Sequence, residues 1–161
     1  MRRDRQLGFT FMELIIVTVI LGIMAAYAIG KSYSMGEGSM LAQAEGMARD
    51  IRHTQALAMA WSKSLRLTIT SGANGSYSVS CVTSGSAPCD ASPVVDPATG
   101  QGFTNSLSGS VSLSGTASTV DFTSMGQPSA AITFTLTAPA STTTASVAVS
   151  AVSGFVTVSS P

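Results

Sequence analysis

Charge is scarce in this 161-residue sequence: Asp, Glu, Lys and Arg make up 10% of it, against 45% apolar residues. Its mean hydropathy of +0.37 is higher than an ordinary cytosolic domain shows, so part of the chain must meet lipid or other subunits. Basic residues stop at Arg66, and between positions 67 and 161 the only charges are Asp90, Asp96 and Asp121. No cation is available there to hold phosphates, which argues against nucleic acid as a partner. Histidine occurs once, at His53. Asp50 stands three residues before it, but no nucleophile motif or oxyanion-hole signature accompanies the pair, and a polar helix face is the simpler reading. The three late aspartates lack the dense spacing of a calcium loop and read as solvated loop carboxylates. The sequence therefore predicts no enzyme, no cofactor and no bound metal.

What is present divides the chain. The length suits one compact domain plus an extension. Residues 1–8 are basic, with Arg2, Arg3 and Arg5 against Asp4, and end in Gly8. Behind them Leu14 to Gly30 carries no charge, and Phe9 to Met12 extends the apolar run with Glu13 as its sole interruption. Such a run is near the short end of what spans a bilayer, and basic residues ahead of it predict a cytoplasmic N-terminus. Ordinary secretory cleavage beyond the run, near Ala26 and Ala28, is one reading. It leaves unexplained a glutamate whose burial at mid-membrane costs ~2.5–3.5 kcal/mol. Cys81 and Cys89 match no redox or zinc spacing. They are either free thiols or a local bridge, and export to an oxidising compartment favours the bridge, worth roughly 2–3 kcal/mol in the chain-entropy account.

Further on, Leu41, Ala44, Met47, Ala48, Ile51, Gln55 and Ala58 recur at spacings of three and four, which predicts an amphipathic helix over about 39–64. Met40, Met47 and Trp61 are expected in its core contact, and Glu45 and Arg49 are placed for an i,i+4 pair. Gly30, Gly36 and Gly38 weaken helical continuity upstream. From Leu65 the period becomes two, with Leu67 and Ile69 on one face, and Asn74-Gly75 predicts a tight hairpin turn into Tyr77, Val79 and Cys81. Further strands are expected at 111–113, 119–123, 131–137, 146–150 and 155–158, with Ser/Gly/Pro/Thr-rich connections. A helix with one apolar face and strands with one apolar face predict a two-layer α+β domain, a long N-terminal helix on an antiparallel β-sheet of about 65–159.

The residues Gly8 to Val17, GFTFMELIIV, resemble the N-terminal signature of type IV pilins and type II secretion pseudopilins. The resemblance implies a leader of residues 1–8, removed by a prepilin peptidase between Gly8 and Phe9, with N-methylation of Phe9. It implies that 9–30 form the transmembrane and assembly half of the helix, and 31–161 a periplasmic pilin-like domain. In that family the glutamate matching Glu13 pairs with the N-terminal amine of a neighbouring subunit; the plainer alternative is a carboxylate favouring a helix start. Arg49–Ile69, Val120–Pro128 and Ser146–Ser159 are similar, more loosely, to the GspH/FimT minor pilin branch. Gly30 stands where many type IV pilins have proline, and the chain lacks the late basic residues with which some FimT-like pilins bind DNA. The implied partners are the prepilin peptidase, other pilin or pseudopilin subunits and the inner-membrane assembly platform. The implied role is a minor structural subunit of a pseudopilus or pilus, anchored in the inner membrane before assembly. A filament-tip binding or adhesion module, presenting loops such as 85–105, is the alternative.

Overall fold

The computed structural model describes residues 10–139 and 142–160, and of residues 28–36 the backbone alone. Helix α1 runs Phe11–Trp61, and the chain divides into two compact units, Met1–Met35 and Gly36–Pro161. In the second unit Met40, Ala44, Met47, Ala48, Ile51, Thr54, Leu57 and Ala58 are buried. This is the three-and-four stripe, and it includes both methionines expected there; Trp61 packs half-buried against the same core. The helix stops three residues before the predicted end. Ser62 takes a left-handed φ of 53°, its N–H donates to the Met59 carbonyl, and the Lys63 N–H donates back to Ala58. That is a Schellman closure with serine in place of the usual glycine.

Among the described residues nine strands follow: β1 Leu65–Thr70, β2 Gly72–Ala73, β3 Ser76–Cys81, β4 Thr104–Ser106, β5 Ser112–Gly115, β6 Thr119–Phe122, β7 Ile132–Thr137, β8 Thr144–Val149 and β9 Val156–Ser159. They form not one sheet but two, ordered β4-β3-β1-β6 and β2-β5-β7-β8-β9, with every pairing antiparallel. Inward residues alternate as expected: Leu65, Leu67 and Ile69 from β1, Ile132, Phe134 and Leu136 from β7, and Ala145, Val147 and Val149 from β8 join α1 in one core.

The split into two sheets arises at the first connection. β1 and β3 do pair, Thr70 opposite Ser76, but Asn74-Gly75 is not a two-residue turn between them. Residues 71–75 leave the first sheet so that Gly72 and Ala73 pair with Leu113 and Ser112 of the second. Asn74, at φ 52°, accepts from the Ser110 N–H through Oδ1 and donates its own N–H to Val111. A Cβ on Gly75 would approach the Thr70 carbonyl to 2.8 Å, so this crossing closes only on glycine.

Two further glycines seat the late loops on the helix. Gln55 donates through Nε2 to the carbonyls of Gly126 (3.2 Å) and Gly154 (2.8 Å). Both glycines have positive φ, 78° and 66°. A Cβ on Gly154 would collide with Gln55 Nε2 and stand 3.1 Å from the Gly126 carbonyl. We expect Gly154→Ala to destabilise the domain by about 1–3 kcal/mol through left-handed strain and the broken Gln55 bridge. Urea denaturation followed by circular dichroism checks this, and an unchanged midpoint excludes it.

Candidate functional site

The first unit holds a helix segment with no apolar partner of its own. Phe11, Met12, Leu14–Val17, Val19–Leu21, Ile23, Met24 and Tyr27 are all exposed, Phe11 at 80% and Ile23 at 66%. Successive residues on a helix are 100° apart, so these side chains surround the axis rather than forming a stripe. A helix apolar all round belongs in a bundle core or in lipid. Among the described residues no helix is long and apolar enough to cross a membrane; the apolar run with described side chains ends at Tyr27.

The start of this segment is built by Thr10. Its Oγ1 lies 3.3 Å from the Glu13 N–H that donates to it, and its carbonyl accepts from Glu13 N–H (3.1 Å) and Leu14 N–H (3.2 Å). Thr10 is thus the N-cap, and Thr-x-x-Glu is the spacing of a capping box. Glu13 lies in the first turn, where the helix dipole favours its charge, and its carboxylate meets no donor among the described residues. Thr18, the next polar residue, turns its hydroxyl onto the Ile15 carbonyl at 2.9 Å and so adds no free polar group. Gly8 and Phe9, the expected cleavage site and methylated residue, lie outside the described residues.

The cysteines are brought together. Cys81 at the end of β3 is bonded to Cys89, with Cα atoms 5.6 Å apart, closing the loop after β3. In the same region the Ala87-Pro88 and Ser92-Pro93 peptides are cis.

The remaining polar candidates are structural links, and several differ from the sequence reading. His53 and Asp50 do not form a pair. His53 Nε2 meets Asp96 Oδ1 at 3.0 Å, with the imidazole 5.6 Å from the Phe103 ring. Asp50 Oδ2 instead accepts from the Tyr77 hydroxyl at 2.6 Å and from Asn105 Nδ2 at 3.1 Å. Burial raises the Tyr77 pKa, and the Asp50 carboxylate raises it further, so the phenol stays a donor. Asp96 and Asp121 are not solvated loop groups. Asp96 is only 8% exposed and caps its own turn through Ala98 N–H (2.9 Å) and the Thr99 hydroxyl (3.2 Å). Asp121 takes a two-pronged hydrogen bond from Arg66, 2.6 Å from Nε and 2.8 Å from Nη2. Asp90 alone of the three is exposed without such a link. Glu45 and Arg49 form no ion pair; the two among the described residues are His53–Asp96 and Arg66–Asp121.

Both paired carboxyls are held below the ordinary aspartate value. For Asp96, burial works against the charged form, and the Ala98, His53 and Thr99 hydrogen bonds overcome it. For Asp121, the Arg66 hydrogen bond lowers the pKa against a smaller burial penalty. The unfolded chain then binds more protons than the folded one in acid, so the contribution is complete above the unfolded value of about 3.9 and is lost as pH falls through the folded values. Asp121→Asn should flatten the fall in stability below about pH 4, read from denaturation midpoints against pH. An acid limb as steep as that of the parent chain excludes this role.

Comparison with known proteins agrees with this layout. The prokaryotic N-terminal methylation motif matches residues 3–29. No curated protein matches the sequence. Among solved structures, the type IV minor pilin FimU of Pseudomonas aeruginosa superposes with a TM-score of 0.57 at 12% identity, over 76% of this chain and 89% of that one. A second crystal form of FimU gives 0.52 at 13% identity, over 72% and 89%. The minor pseudopilin EpsH of the Vibrio cholerae type 2 secretion system gives 0.55 at 9% identity, over 76% and 98%. The chain thus carries a prokaryotic methylation motif leading into an apolar helix and, behind it, has the fold of minor pilins and pseudopilins.

Proposed function

We propose that the chain is a minor structural subunit of a type II secretion pseudopilus or a type IV pilus, not an enzyme. It is anchored in the inner membrane through its N-terminal helix, with the leader cytoplasmic and the domain periplasmic. A prepilin peptidase cuts it between Gly8 and Phe9 and methylates Phe9, after which the assembly platform passes it into a filament of other pilin or pseudopilin subunits. The observation that carries this reading is the exposed, all-round apolar segment Phe11–Tyr27 inside a methylation motif. Burying each such side chain contributes ~1.5–3 kcal/mol, which lipid supplies before assembly and neighbouring helices supply after it. The Cys81–Cys89 bond suits an oxidising periplasm.

Intact mass spectrometry of membrane-extracted protein tests the processing. The expected mass is that of residues 9–161 plus one methyl group; a mature start at or beyond Ala28 overturns it.

Glu13 has a separate test. A carboxylate without a partner among the described residues, on an otherwise apolar surface, is open to a cation from outside, and the cut frees an α-amine on Phe9 of each subunit. Removing one member of a buried pair costs ~3–5 kcal/mol. Glu13→Ala makes the segment more apolar, so membrane insertion should survive. Co-purification of the processed variant with sheared filaments should fall at least tenfold, since about 1.4 kcal/mol already suffices for that. Assembly at the wild-type level excludes charge pairing at Glu13.

A further inference from the structure

We propose that β9 is an acceptor edge, to which an extended, carboxylate-bearing segment of a neighbouring pilin-like subunit adds as a further strand; this rests on the filament role proposed above. β9 closes its sheet and pairs only with β8 among the described residues. Backbone direction alternates along a strand. The Phe155 carbonyl accepts from Ser150 across the hairpin, so the N–H and C=O groups of Val156 and Val158 point away from β8. The Val156 carbonyl is met from that side by the Arg52 guanidinium at 2.9 Å, which confirms its direction and shows the edge already accepting a side-chain donor.

The other long edge is treated differently. β6 is closed off by its own chain, through the Ser129 N–H to the Asp121 carbonyl, the Thr123 N–H to Gln127, and a bridge from Phe122 to Pro128. β9, reading Val156-Thr157-Val158-Ser159, contains no charge or proline, and apart from the Arg52 hydrogen bond at Val156 no hydrogen bond from the described residues closes its outer side, whereas edges are usually protected by such devices.

A groove of about 460 Å³ lies between this edge and α1, lined by Ala42, Glu45, Ala48, Arg49, Arg52 and Val158. The two alanines leave room for an added backbone. The two arginines outnumber Glu45, and Arg49 has no ion pair among the described residues, so the incoming segment should carry a carboxylate beside its strand. Main-chain hydrogen bonds to the edge would supply affinity, and the arginines would fix the partner's register.

The test uses the full chain expressed with its native assembly partners and a photo-activated benzophenone side chain at Thr157. Tandem mass spectrometry of the crosslinked product should place it on an extended segment of another pilin-like subunit, next to Asp or Glu. Val158→Pro removes the outward N–H without touching the β8 ladder, and Arg49→Glu reverses the guiding charge. Each should lower the crosslink at least tenfold, while Arg49→Lys retains most of it. If Val158→Pro does not fold by circular dichroism, Arg49→Glu decides alone. The proposal is overturned if the assembled wild-type chain gives no crosslink, if the crosslink maps to a helical segment, or if the folded variants crosslink as well as the wild type. If the wild-type chain does not co-purify with pilin-like subunits at all, the filament role fails with it.

Discussion

The globular unit depends on the contact between the Met40–Ala58 stripe of α1 and the inner faces of two sheets. Neither sheet could stand without it. The first has four strands, of which β4 has only three residues, and the second begins with a two-residue strand. Strands this short gain little from their own ladders, and three or more need a packed face to persist. The stripe supplies that face to both sheets at once, and the side chains that share its core, Phe122, Phe134, Leu67, Leu136 and Val147 among them, are fully buried.

Around that contact the few polar groups are placed where apolar packing cannot specify position. Gln43 exchanges hydrogen bonds with the backbone of Ser108, Asp50 holds Tyr77 and Asn105, His53 holds the Asp96 turn, and Gln55 holds two glycine loops. Each sits on the flank of the helix; Gln43, His53 and Gln55 reach loops, and Asp50 reaches β3 and β4. Hydrophobic contact is non-directional, so it can bring a loop near without fixing it; a hydrogen bond of known geometry does the fixing. A chain with little charge thus uses its polar helix side chains to fix the elements around the core.

Much of this was legible in the sequence, and what was not has a common cause. The alternation of Leu65, Leu67 and Ile69 and the stripe from Ala44 to Ala58 are local periodicities, and both elements follow them. Sequence reading missed Thr10 as a cap, although Thr-x-x-Glu directly before an apolar run is a signal that marks a helix start. The second sheet was not legible, because it turns on Gly72 meeting Leu113, a pairing no local pattern encodes. Asn74-Gly75 misled for the same reason: its local preference for a hairpin yields to the distant strand. Gln55 looked like a core position on periodicity and proved to be a bridge, since its role depends on where residues 71 and 99 positions away arrive. On sequence Asp96 and Asp121 read as solvated carboxylates, the second although it falls in the expected strand 119–123, and only the folded arrangement brings His53 and Arg66 to them.

The position of the helix cap has a consequence for maturation. Thr10 supplies the side chain that accepts from the Glu13 N–H in the first turn of α1, and it stands on the domain side of the Gly8–Phe9 bond. The cut proposed above at that bond would discard residues 1–8 and leave Thr10 in the chain. On that proposal the capping residue is common to precursor and product, and removal of the leader changes the charge and the terminus but not the residue that caps the helix.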